Sequence, residues 1–259
     1  MRSGQLIYFS PTHTTSRVLQ NIAKGLGGPM RLLDITHDPL SAANSVASDE
    51  IVMVGVPVYG GRIPALVYSR LESLSGHGRS AIAVVVYGNR AYEDALLELQ
   101  TLLTAKGFQV VAAAAFIGEH SFSSAELPIA ANRPDHEDLA KAQSLGQAIA
   151  AKLEHGGYDD ALQVPGNVPH KERSPSSRIV PETDRELCGH CGACVSACPT
   201  GAISPDDPAL TDANLCIRCA ACIKSCPSTA RSITNPTMLS FIQTLQQNCQ
   251  LRREPEWYL

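Results

Sequence analysis

No run of about 18 uncharged apolar residues, the length needed to cross a bilayer, occurs anywhere in this chain, and the opening MRSGQLIYFSPTHTTSR has too short an apolar stretch for a secretion signal. A cytoplasmic protein with no membrane span is the expectation. Basic residues form no block and the formal net charge is -4, so nucleic acid is not an expected partner. Neither G-x-G-x-x-G nor Gly-Lys-Ser/Thr is present, which removes the dinucleotide and Walker phosphate loops. Cysteine is missing from residues 1–187. All nine cysteines lie beyond them, eight between 188 and 226, and a reducing compartment would not keep them as disulfides. Metal or redox chemistry is the remaining use for such a concentration.

Those eight form an internal repeat, LCGHCGACVSACPTGAI (187–203) and LCIRCAACIKSCPSTARSI (215–233). Each half reads C-x2-C-x2-C-x3-C-P, which puts three thiolates in one tight loop and the fourth on the turn that follows, where it ligates the other of two [4Fe-4S] clusters. Cys188, Cys191, Cys194 and Cys226 are then expected to hold one cluster, and Cys216, Cys219, Cys222 and Cys198 the second. A zinc ribbon pairs two C-x2-C knuckles and has no use for the other cysteines of each half. Pro199 and Pro227 turn the chain away from the cluster, and Gly189, Gly192, Ala193, Ala220 and Ala221 let backbone N–H groups approach the sulfurs. The segment 187–233 resembles the two-cluster ferredoxins, which implies low-potential one-electron transfer. His190 and Arg218 are read as solvent-facing, and Cys249 as a packed thiol.

From 5 to 117, apolar strand-like runs alternate with amphipathic helix-length segments, the pattern of a doubly wound α/β sheet. Strands are expected at 6–9, 31–35, 50–58, 80–87 and 109–117, and helices at 14–26, 63–75, 92–106 and 135–154. Five parallel strands in a flavodoxin-like order, 2-1-3-4-5, are the simplest arrangement. Residues 156–185 lose periodicity and read as a linker between a domain at 1–155 and a cluster domain at 186–236, with a helix and tail at 237–259.

Three loops fall on the carboxyl edge of the expected sheet, where open α/β folds bind ligands. Ser10, Pro11, Thr12, His13, Thr14 and Thr15 precede the first helix and suit a phosphate held by N–H groups, hydroxyls and the helix dipole, although the same residues also suit an ordinary N-cap. The loop resembles the S/T-x-T-G-x-T phosphate loop of the flavodoxin family, with His13 in the glycine position and so pointing outward. That resemblance implies FMN. Pro57, Val58, Tyr59, Gly60 and Gly61 follow the third strand, and Tyr87, Gly88, Asn89, Arg90 and Tyr92 the fourth; in flavodoxin-like proteins these loops flank the isoalloxazine. Gly60 or Gly61 would offer a carbonyl to the flavin, Tyr59 and Tyr92 aromatic faces, and Asn89 hydrogen bonds. His120 is read as a surface histidine and Asp94 as an acid favoured by a helix dipole.

Taken together the chain resembles flavodoxin-ferredoxin fusion proteins, with two [4Fe-4S] clusters and one FMN implied. Three functions stay open: a carrier serving protein redox partners, an FMN-dependent reductase of a small acceptor, and a redox sensor. The linker is expected to let the cluster domain move. A face of Leu239, Ile242 and Leu245, followed by Trp257, Tyr258 and Leu259, is expected to dock on the first domain of the same chain or of a partner in a homodimer, the alternative being a frayed tail.

Overall fold

A computed structural model describes residues 3–41, 50–156, 162–173 and 178–259. The elements are β1 (Gly4–Tyr8), α1 (Thr14–Leu26), β2 (Met30–Asp34), β3 (Ile51–Pro57), α2 (Leu66–Arg70), β4 (Ser80–Tyr87), α3 (Ala95–Ala105), β5 (Gln109–Ile117) and α4 (His136–His155), followed by β6 (Glu182–Thr183), α5 (Ala193–Ala197), α6 (Ala221–Lys224), β7 (Arg231–Ser232), α7 (Pro236–Asn248) and β8 (Glu256–Tyr258). The main sheet runs β2-β1-β3-β4-β5-β8, parallel throughout except for β8. Its first five strands have the doubly wound, flavodoxin-like order 2-1-3-4-5.

Both faces of the sheet are covered, as a parallel sheet requires. Val54, Val56, Val85 and Ile117 pack beneath α2 and α3, while Leu6, Met53, Val84 and Phe116 pack beneath α1 and α4. Strands β3, β4 and β5 are almost wholly buried, which is why they read as continuous apolar runs rather than alternating ones. Gly25 and Gly146 are where α1 and α4 cross; a Cβ on either would fall 2.0 Å from a carbonyl oxygen of the other helix.

Two expected elements come out differently. The helix at 63–75 shrinks to α2, because Pro64 bars the preceding residue from helical geometry and both flanks tighten into three-residue turns, Val67 N to Pro64 O and Leu74 N to Leu71 O. The interdomain segment is not loose where it is described. Asp94 is not a mere dipole-favoured acid: its carboxylate, 1% exposed, accepts from Asn167 N, Asn167 Nδ2 and Lys171 N. Arg173 donates to Glu98 and to the Ile63 carbonyl, and buried Glu98 also takes Arg62, Tyr68 and the Ile63 N–H. These bonds strap 162–173 along α3.

The tail is anchored too. β8 adds antiparallel to β5, Ala113 opposite Tyr258 and Ala115 opposite Glu256, so the chain covers its own sheet edge. The docking face of α7 is Met238, Ile242, Leu245 and Cys249, buried against Ile129 and packed by Phe122, Leu127, Ile179 and Ile233. Leu239 is only half-buried, and Trp257 and Leu259 remain 39% and 44% exposed, so the expected face is shifted and the tail is held by backbone pairing rather than by those side chains. Cys249 is a packed thiol, as its isolation in the sequence suggests. No described helix is long and apolar enough to cross a membrane.

Candidate functional site

The two cysteine loops share one backbone. Residues His190 and Arg218 have φ of +50° and +55°, Gly192 and Ala220 +75° and +60°, and Gly201 and Thr229 +64° and +54°. Side chains rarely tolerate this left-handed region, yet all three matching positions in the second half carry side chains, Arg, Ala and Thr. Alternation of right- and left-handed residues turns successive N–H groups toward one concavity, which suits an anionic iron–sulfur unit. Strands β6 and β7 pair antiparallel at the base, drawing residues 182 and 183 out of the expected linker.

Cys198, Cys216, Cys219 and Cys222 line a single cavity with Ala202, Ile203 and Thr211. Cys198 therefore stands with the first three cysteines of the other half, as the crossover requires. The electrostatics agree. Burial pushes the Cys219 thiol up to about 12, and Cys222, Cys198 and Cys216 each add to the rise as negative neighbours. Among the described residues no three His, Cys, Asp or Glu side chains converge on a point as a single metal ion would need. The four sulfurs share a space instead, and the donor set is all thiol, the set a four-iron cluster takes.

At the carboxyl edge of the sheet a cleft of about 390 Å³ lies within the range of small-molecule sites. Thr12, Thr14, Pro57, Val58, Tyr59, Gly60, Tyr87, Gly88 and Arg90 line it, all expected from the three loops. Its remaining wall comes from Glu119, His120, Ser121 and Phe122 after β5, from Lys171, from Ile217 and Arg218 of the second cysteine loop, and from Met238, Phe241 and Leu245 of α7. Of this last group, Glu119, His120 and Ser121 are placed near the edge by following the fifth strand, and Leu245 belongs to the apolar face expected on α7; nothing in the sequence marks Lys171, Ile217 or Arg218 as cleft residues. Arg218, read as solvent-facing, is half-buried between cleft and cluster cavity; His190, its counterpart, is exposed.

The phosphate-type loop is shaped as the motif implies. His13 has φ +62° and is exposed, occupying a glycine-type conformation with its ring outward. Ser10 Oγ accepts from Ser16 N, and Ser10 N donates to Thr36 Oγ1. The N–H groups of Thr12, Thr14 and Thr15 find no acceptor among the described residues, and the buried Thr15 Oγ1 has no partner either. Unpaired donors at a helix N-terminus fit an anion such as phosphate.

Three expected flavin contacts are spent elsewhere. Asn89, 4% exposed with φ +63°, donates to Cys249 O at 2.7 Å and Leu251 O at 2.9 Å and accepts from Arg253 N at 3.1 Å, so it fastens the tail. The Tyr92 hydroxyl donates to Glu256 and meets Tyr258, and its ring stands edge-on to Tyr87, outside the cleft. Gly61 lends its carbonyl to Asp94 N and packs against Glu93, where a Cβ would fall 2.2 Å from Oε2. Gly60, with φ +61° and open space about it, is the glycine facing the cleft. His120 is not a surface histidine: burial, with Arg90 and Lys224 nearby, lowers it to about 4, and its Nδ1 accepts from Phe122 N. It is a neutral ring with its proton on Nε2.

Two 4Fe-4S binding domain models match the chain, one over residues 181–204 and one over 213–232. No curated protein matches. Among solved structures, a flavodoxin from the domain Archaea is 15% identical with a TM-score of 0.46 and covers 59% of this chain and 99% of its own. The rubredoxin oxygen:oxidoreductase of Desulfovibrio gigas is 21% identical, TM-score 0.46, covering 60% and 37%. Oxidised flavodoxin 1 of Bacillus cereus is 17% identical, TM-score 0.43, covering 60% and 99%. Likenesses this distant add nothing to the strand order traced above.

Proposed function

We propose that this chain, which joins a flavodoxin-like sheet to two ferredoxin-type 4Fe-4S binding segments as a flavodoxin-ferredoxin fusion does, is an intracellular electron-transfer protein with FMN in its cleft. The observation that carries this reading is the shared wall: Ile217 and Arg218, between Cys216 and Cys219, line the same cleft as Tyr59, Gly60 and Tyr87. When bound, the clusters would move single electrons and the flavin one or two.

The residues divide the work. Cys198, Cys216, Cys219 and Cys222 would hold an inner cluster beside the cleft, and Cys188, Cys191, Cys194 and Cys226 an outer one, of which Cys191 is already exposed. Thr12, Thr14 and Thr15 would hold the FMN phosphate through their free N–H groups and the hydroxyls of Thr12 and Thr14, which line the cleft, and the Gly60 carbonyl would face the ring system. Tyr59 stands between the two sites: burial raises its phenol well above the usual value, Cys219 raises it further, and Ser121 hydrogen-bonds to it. Met238, Phe241 and Leu245 roof one side of the cleft and would shield that side of the ring. That roof favours a relay serving a protein partner at the outer cluster over a reductase of a small acceptor.

Anaerobically purified protein should carry about eight irons and eight sulfides, from two four-iron clusters, and one FMN. Thr12→Ala should weaken FMN by roughly 1–3 kcal/mol, the cost of leaving a charged group short of a partner. Zinc in place of iron, or a protein that retains no flavin when FMN is supplied, would overturn the assignment.

A further inference from the structure

Arg231 is the largest of the fully buried side chains, at 2% exposure. Its Nη1 donates to Thr183 Oγ1 at 3.0 Å and Pro208 O at 2.7 Å, and its Nη2 to Pro181 O at 3.3 Å and Thr211 Oγ1 at 2.6 Å. These four oxygen acceptors are neutral, and Nε has no hydrogen-bond partner. Arg133, buried to a similar degree, is paired with the carboxylate of Asp138. No carboxylate pairs with Arg231 among the described residues. A buried guanidinium is costly without a counter-charge, so the burial of Arg231 suits a site that holds negative charge close by.

The neighbourhood says where that charge belongs. Pro181 and Thr211, which accept from Nη2, also line the cavity of Cys198, Cys216, Cys219 and Cys222. Arg231 also hydrogen-bonds the Cys222 side chain, which places the cation against that sulfur. The repeat supplies a built-in comparison. Aligning Cys198 with Cys226 sets Ile203 opposite Arg231, so the first half has an apolar side chain where the second has a cation.

We propose that Arg231 is the fixed counter-charge of the inner cluster and holds its reduction potential above that of the outer one. This rests on the cluster assignment made above. One-electron reduction adds one negative charge and no proton to the cluster with its four thiolates, so a cation buried beside it stabilises the reduced form more than the oxidised form. Electrons entering at the outer cluster from a low-potential donor would then collect at the inner one, against the cleft. Arg231 acts as a positioning charge; it neither takes up nor releases the electron.

The test is an anaerobic redox titration of the holoprotein followed by electron paramagnetic resonance, with iron counted in parallel. Wild-type protein should show two separate one-electron steps. Arg231→Gln should shift the higher step downward so that, at a fixed potential, the reduced-to-oxidised ratio falls at least tenfold, which is 59 mV for one electron, while the lower step stays in place. Arg231→Lys, which keeps the charge, should shift it by less than half as much. Unchanged steps in Arg231→Gln, or equal shifts of both steps, would overturn the proposal. If Arg231→Gln loads only one cluster, full loading of Arg231→Lys supports the need for charge, and the same loss in Arg231→Lys refutes it. Wild-type protein that binds no iron would instead sink the cluster assignment on which all of this depends.

Discussion

The two cysteine loops are built alike and placed differently. Their spacing is the same and their left-handed residues coincide, but Cys191 and His190 are exposed whereas their counterparts Cys219 and Arg218 are buried and half-buried. The first loop looks outward; the second shares a wall with the cleft and has Arg231 behind it. Spacing thus fixes the conformation of a cluster loop, while packing against the rest of the chain decides which loop faces outward and which faces the interior. The difference is made by α7, which follows the second half directly and packs against Phe122, Leu127 and Ile129, and by Lys224, which reaches Glu119 and the Ser123 carbonyl.

Removing that packing should have the largest effect. Truncation after Pro236 deletes Met238, Ile242 and Leu245, each contributing about 1.5–3 kcal/mol on burial, and unroofs the cleft. FMN should then dissociate at least tenfold more readily by equilibrium dialysis, with the iron content retained and cluster-to-flavin transfer slowed. Unchanged flavin affinity would show that α7 is no roof.

Next comes the clasp. Asn89→Ala leaves the buried Cys249 carbonyl, the part-buried Leu251 carbonyl and the Arg253 N–H unpaired and puts a residue without a local side-chain hydrogen bond at φ +63°. A loss of about 2–3 kcal/mol in denaturant unfolding is expected. A change below about 0.5 kcal/mol, the scatter of ordinary surface substitutions, would mean the tail holds without it.

His120 sharpens the inner side through pH, since Lys224, one of the cations beside it, belongs to the second cysteine half. Its folded value, about 4, lies below the usual 6.5, so the unfolded chain binds the proton more tightly and stability falls as pH drops from 6.5 toward 4. Between pH 7 and 5 this group should cost about 2 kcal/mol. The apparent unfolding midpoint of His120→Phe should therefore vary less over that range than the wild type's; parallel curves would contradict a neutral buried ring.

The smallest effect tests the shared backbone. Gly192→Ala gives the first loop the residue type found at Ala220, at φ +75° with nothing within 4 Å of the added methyl. It should load both clusters and lose about 1 kcal/mol, the cost of the left-handed region. Failure to bind iron would show the two loops to be less alike than their dihedrals.

Much of this was readable from the chain itself. The buried strands 80–87 and 109–117 and the helix 14–26 were bounded by apolar runs, glycines and a polar loop, and they stand where expected. The cysteine spacing carried the repeat because ligand geometry leaves little choice. What escaped depends on contacts across the chain. β8 is three residues long with no periodicity of its own, and it forms because β5 offers an open edge. Asn89 and Tyr92 had the right chemistry for a ligand and the right loop; only the tail, some 160 residues on, reveals that they are occupied. Arg231 looked like any arginine after a cysteine motif, and its burial without a carboxylate is visible only once the repeat is folded.

The most direct test of an inner cluster that feeds the cleft is the pair Cys198→Ala and Cys226→Ala, each of which removes the fourth ligand of one cluster. In Cys226→Ala the inner cluster survives, and rapid mixing with dithionite should reduce FMN through it at close to the wild-type rate. In Cys198→Ala only the outer cluster survives, and cluster-mediated flavin reduction should slow at least tenfold. The reverse ordering, with Cys198→Ala fast and Cys226→Ala slow, would place the flavin beside the wrong cluster and contradict the account.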